Sequence, residues 1–159
     1  MIKAYRERAG KLAVLNALTF RLPVNEIEND YELAPPSHIM MILSKDKDNF
    51  FVENKLADGV TSFVAEYDKV NKTYSFTGLR DYMLSLLEKD EVKPEDYTFV
   101  LTPVSLVTTQ EASTSYYYYY TTTETINAVV PYTSVPAMAE FDLKNAKITL
   151  TFSRQITKN

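Results

Sequence analysis

The sequence predicts a mainly-β fold, a β-sandwich or jelly roll carrying one amphipathic helix. Three observations carry this expectation. Apolar residues recur at every second position in several short segments, seven prolines are scattered along the chain, and one stretch alone places apolar residues at helical spacing. The 159 residues are about one domain's worth of chain. No internal repeat or long linker divides them, so a single domain over residues 1–159 is expected. A chain of this length buries roughly 68–70% of its unfolded surface, enough for a core without disulfides or metal.

The elements follow in order. The first dozen residues are polar and read as a loose lead-in or a short helix. Leu18, Phe20 and Leu22 alternate with Thr19 and Arg21, a half-buried strand that Pro23 ends. Ile39 to Leu43, introduced by Pro35-Pro36, is a short apolar run and a more buried strand. Thr61 to Glu66 and Thr73 to Phe76 are shorter strands around the polar turn Asp68 to Lys72. Leu79, Tyr82, Met83, Leu86 and Leu87 fall at i, i+3, i+4, i+7 and i+8, a helix near 78–89 with Thr77 as its cap. Asp81 and Lys89 suit the two ends of its dipole. Thr98 to Leu101 precedes Pro103, and Ile126, Ala128 and Val130 alternate up to Pro131. In the last strand Ile148, Leu150 and Phe152 face one way, Lys147, Thr149 and Thr151 the other.

Composition removes several function classes. With 45% hydrophobic and 24% charged residues the chain is neither disordered nor collagen-like. Seventeen Lys and Arg against twenty-one Asp and Glu give a net charge of −4, which argues against nucleic-acid binding. The absence of cysteine removes disulfides, thiolate metal sites and a cysteine nucleophile. No 18-residue apolar run occurs, and the segment Met1 to Arg8 lacks a secretory apolar region. The chain is therefore expected to be either cytosolic or a mature domain whose export signal lies outside it.

No catalytic constellation stands out. The single histidine, His38, has no local partners and reads as a half-exposed or core-edge imidazole. No Gly-x-Ser-x-Gly elbow nominates a serine, and the three glycines form no phosphate cradle. Asp46-Lys47-Asp48-Asn49 starts like a calcium loop but lacks its glycine and its twelfth-position Glu, leaving a solvated turn. The acidic run Glu88, Asp90, Glu91, Glu95 and Asp96 reads as a solvated helix exit. Neither an enzymatic activity nor a cofactor nor a metal is expected.

The informative segment is Ser113 to Thr123, every residue of which carries a hydroxyl. In an extended chain Tyr116, Tyr118 and Tyr120 face one way, and Tyr117 and Tyr119 the other, so at least one set meets solvent or a partner. The fifty residues from Pro94 to Leu143 contain no Lys or Arg, which removes the cationic handle for phosphates. Such a surface suits neutral partners, because Tyr supplies rigid contact area plus a hydroxyl. An ordinary sheet face, a protein-binding surface and a glycan-stacking platform at Tyr116, Tyr117, Tyr118, Tyr119 and Tyr120 all fit. An exposed edge of this composition is also one that native proteins cover.

The order of features, with Leu22-Pro23-Val24, Pro35-Pro36 before Ile39 to Leu43, Tyr74-Ser75-Phe76-Thr77 before the helix, Phe99 to Pro103 and the closing Lys147 to Ser153 strand, resembles the C-terminal part of a family of uncharacterised lipoproteins exported by Bacteroidetes, a domain of unknown function. The resemblance covers roughly residues 12–154. Gly78 and the five-tyrosine run depart from the family pattern. It implies a jelly-roll-like domain with a galactose-binding-like outline at the outer-membrane surface, lipid-anchored through a region outside this chain. It implies no enzymatic activity. Adhesion, assembly or partner binding is the expected role, with a carbohydrate-binding module as the alternative.

Overall fold

The computed structural model describes the backbone of residues 13–114 and 120–154 and the side chains of residues 14–111 and 122–153. The expected lead-in over the first dozen residues and the tyrosines Tyr116 to Tyr119 lie outside the described residues. The fold is mainly β, as expected, and sandwich-like. Its strands are β1 (Ala13–Asn25), β2 (His38–Leu43), β3 (Ser62–Asp68), β4 (Thr73–Phe76), β5 (Phe99–Thr114), β6 (Tyr120–Pro131), β7 (Glu140–Phe141) and β8 (Lys147–Arg154). All pair antiparallel in the order β6-β5-β2-β3-β4-β1-β7, with β8 also on β1. Among the described residues two helices accompany them, α1 (Lys47–Val52) and α2 (Leu79–Glu88), with a 3₁₀ turn at Pro94–Asp96.

The sheet turns its corner at β3. Residues Ser62 to Glu66 pair with β2, whereas Tyr67 and Asp68 pair with β4. The two halves therefore face each other across one core. Leu18, Leu22 and Val24 of β1 meet Ile39, Met41 and Leu43 of β2, with Tyr74, Phe76 and the α2 residues Leu79, Tyr82 and Leu86 between them. The opposite face of β2 is buried too. Met40 and Ile42 pack with Val104, Val129 and Phe50 of α1, which is why β2 reads as a continuous apolar run rather than an alternation.

Pro23 does not end its strand as expected, and Pro103 lies within its strand rather than after it, for one shared reason. In a strand a residue's C=O and N–H point to the same side, so a proline is tolerated where that side has no ladder. The Pro23 carbonyl accepts from the Asp142 N–H at 2.9 Å, so its missing donor faces the turn between β7 and β8. The Pro103 carbonyl accepts from the Tyr132 N–H at 3.1 Å, so its missing donor lies on the side of β5 away from β2. Thus β1 runs on to Asn25 and β5 runs on to Thr114.

Two bulges reset the alternation. Asn16 is an extra residue between Leu15 and Ala17, which brings Leu15 to 1% exposure although it is three residues from Leu18. Asn127 is the extra residue between Ile126 and Ala128. As a result Ile126 leaves the face of Ala128, and Val129 rather than Val130 is the buried residue. The helix over Leu79–Glu88 forms as expected, but Thr77 does not cap it. Gly78 occupies the N-cap with φ 81°, a left-handed conformation, and no side chain bonds the first turn. Asp46 to Asn49 is not a turn between strands either. Asp46 is the N-cap of α1, whose Phe50 plugs the second core.

Candidate functional site: an exposed two-stranded arm

The site begins where β5 leaves the body of the sheet. Val104, opposite His38 of β2, is fully buried, and Leu106 and Val129 pack on the same face as Phe50. Beyond them, among the described residues, β5 pairs with β6 alone. The ladder runs from Thr108 opposite Ile126 to Thr114 opposite Tyr120. At ~3.4 Å per residue these seven rungs extend roughly 20–24 Å from the body. Residues 107–111 and 122–127 are exposed on both faces. This is a ribbon standing off the molecule with residues 115–119 as its connection.

Local chemistry explains why the ribbon forms. Thr108, Thr109, Thr122, Thr123 and Thr125 are strand formers, and Thr109 directly opposite Thr125 gains from cross-strand packing. Asn127 Nδ2 donates to Thr109 Oγ1 at 3.0 Å, tying the bulge to the opposite strand. Two acidic residues stand on it, Glu111 opposite Thr123 and Glu124 opposite Gln110. No cation does. The sequence singled out the tyrosines but not the arm, because Thr108 to Thr114 has no apolar alternation to betray a strand. The alternation is missing where neither face is buried, as at residues 108–111.

Of the five singled-out tyrosines, Tyr120 opens β6 opposite Thr114, and Tyr116 to Tyr119 fall in the connection outside the described residues. His38 is half-buried at the start of β2, with Nδ1 3.2 Å from the Ser37 hydroxyl and Glu66 and Val104 as its ladder neighbours. That matches the core-edge imidazole expected of it.

The perturbed carboxylates are structural. Asp68 accepts from the N–H groups of Val70 and Asn71 and from Asn71 Nδ2. Asp142 does the same with Lys144 and Asn145. In both, the Asn side chain leads the interactions that hold the carboxyl below its usual range. Partial burial pushes Asp58 up, but the N–H groups of Val60, Thr61 and Ser62 and the Thr61 hydroxyl overcome it and leave it lowered. Asp96 corrects the expectation of a wholly solvated acidic run. It is 7% exposed, its Oδ1 lies 2.7 Å from Lys89 Nζ and 3.5 Å from Lys45 Nζ, and Oδ2 accepts from the Lys93 N–H. Lys89 foremost, then the Lys93 N–H, hold it at about 2. Each of these groups is occupied in closing a turn.

Among the described residues no three His, Asp or Glu gather as a metal site, and no helix is long and apolar enough to cross a membrane. An apolar groove of about 780 Å³ lies beside α2, lined by Leu18, Phe20, Met41, Met83, Tyr97 and Phe99 among others. A second hollow of about 500 Å³ lies between Ile39, Pro103, Tyr132 and Phe141. Neither has a convergent set of charged groups among its lining residues. Compared with known proteins, the chain matches no family model, no curated protein and no solved structure.

Proposed function

We propose that this chain is a non-enzymatic binding domain of a bacterial cell surface, serving adhesion, assembly or partner binding, and that the β5–β6 arm is its contact element. The observation that carries this reading is the arm itself. Its ladder runs for seven rungs, and its described side chains, 107–111 and 122–127, are exposed on both faces, although an isolated two-stranded ribbon is marginally stable in water. A partner that packs on the arm supplies the burial it lacks. The resemblance to exported Bacteroidetes lipoproteins supports the surface location, with the anchor in a region outside this chain.

A carbohydrate-binding role is the second reading, favoured by one observation. The segment from Ser113 to Thr123 offers only hydroxyls and aromatic rings, with no charge to exclude a neutral sugar. The test is binding to a panel of host and bacterial polysaccharides by the wild type, by Tyr116→Ser/Tyr118→Ser and by Tyr117→Ser/Tyr119→Ser. Each variant is checked by circular dichroism, and their folds are expected to be unchanged. Loss of binding by one folded pair assigns the glycan role and the outward face. No binding by the wild type removes the carbohydrate reading and leaves a protein partner.

A further inference from the structure

The groove beside α2 has a floor made of core. Leu18, Met41, Tyr82 and Leu86 line it and are buried, Phe20, Met83 and Phe99 are half-buried walls, and Tyr97 and Ile148 stand exposed at the rim. Its volume of about 780 Å³ is that of a small-molecule site. Among the described residues none that lines it is charged. The flexible thioethers of Met41 and Met83 adapt to irregular apolar bodies. The backbone around the groove is already paired. Phe20 lies between Phe76 and Ile148 in the ladders, Met41 lies between Phe63 and Leu101, and Leu79 to Leu86 lie within α2. An extended peptide laid there would have no ladder to join and would bury its own N–H and C=O groups unsatisfied. A hydrocarbon body carries no such penalty.

Charge selects the head group. Val92 joins the lining from the exit of α2, and that exit is acidic. Residues 88–96 hold Glu88, Asp90, Glu91, Glu95 and Asp96 against Lys89 and Lys93. Asp96 is enclosed with Lys89 and Lys45, whereas Glu88, Asp90, Glu91 and Glu95 are exposed. The other charges beside the lining do not reverse this balance. Lys45 and Asp46 after β2 offset each other, and Arg80 pairs with Asp81 on α2. Arg21 and Lys147 adjoin Phe20 and Ile148 in the strands, so they project from the opposite face of the β1–β8 pair. We infer that this groove binds a small apolar molecule with a cationic head, an alkylamine in chemical class. Its chain lies on the apolar floor and its ammonium group at the acidic exit of α2. The site is separate from the arm and does not depend on it.

Displacement of the neutral fluorescent probe N-phenyl-1-naphthylamine tests this. The competitors are dodecylamine, decylamine, dodecanol and dodecanoic acid, each below its micelle concentration. The wild type is expected to take up the probe and to release it to dodecylamine at ~10-fold lower concentration than to decylamine, because two more methylenes are buried. At low salt dodecylamine is expected to compete ~5-fold or more better than dodecanoic acid, and the gap to narrow at high salt. Glu88→Gln/Glu91→Gln is expected to bring dodecylamine down to the level of dodecanol without changing probe uptake. Met83→Gln and Ile148→Trp, at positions that are not fully buried, are each expected to weaken probe uptake ~10-fold or more. Circular dichroism and thermal melting check that each variant folds. A wild type that excludes the probe, an acid that competes as well as the amine, no gain with chain length, or unchanged uptake in a folded lining variant overturns the inference. Exclusion of the probe by a wild type that sediments as a dimer would assign the groove to a second copy instead.

Discussion

At the residue scale, the aspartates show how much of the molecule's electrostatics goes into turns. Asp68 and Asp142 open the two Asp-x-x-Asn turns, each carboxylate taking two N–H groups and the Asn amide. Asp96 is the most enclosed, clamped between Lys89, Lys45 and the Lys93 N–H, while the Tyr82 hydroxyl donates to its backbone carbonyl. All three carboxyls are lowered. A carboxyl that ionises more easily folded than unfolded contributes stability above its unfolded value of about 3.9, and that contribution is lost as pH falls. For Asp96, held at about 2, the loss runs from about pH 4 down through about pH 2. Asp96→Asn is therefore expected to lower the melting temperature at pH 7 and to flatten its fall between pH 4 and 2. Thermal melts across that range are the check, and an unchanged acid slope would show that Asp96 does not carry it.

At the element scale, α2 tests the account of helix entry. Gly78 sits at φ 81°, and a Cβ there would meet only the Gly59 carbonyl oxygen at 3.5 Å, an ordinary contact. The cost of Gly78→Ala is therefore the backbone conformation alone, ~1–2 kcal/mol by denaturant unfolding. Thr77→Ala, at the exposed position the sequence nominates as the cap, is expected to shift stability by no more than about 0.5 kcal/mol. This contrast also marks what the sequence made legible. Leu79, Tyr82 and Leu86 reveal the buried stripe of α2, and Ile39 to Leu43 reveal a strand buried on both faces, because burial selects apolar side chains. Backbone devices leave no such trace. The left-handed cap at Gly78 and the bulges at Asn16 and Asn127 are set by tertiary pairing, as is the side on which Pro23 and Pro103 point their missing donors. The helix at Lys47–Val52 is six residues long, too short to show a period, and nothing in the pair Phe50-Phe51 tells which ring is buried.

At the scale of the whole molecule, the division is between a body with two apolar cores and an arm with none. In the sequence the tyrosine run lies between the two strands of the arm. The arm itself was illegible because a ribbon exposed on both faces needs no alternation, and its threonines look like loop residues. The account's central claim is that the body folds by itself and the arm makes the contacts. Val104 and Val129, which root the arm, belong to the body's second core and stay in place if the ribbon is removed above them. Replacing residues 108–126 by a two-residue Asn-Gly turn tests this most directly. The shortened and wild-type proteins are compared for thermal melting and for binding to the polysaccharide panel. The account predicts a melting temperature within a few degrees of wild type and loss of every polysaccharide interaction that the wild type makes. A shortened protein that melts as the wild type does and binds equally well would contradict it.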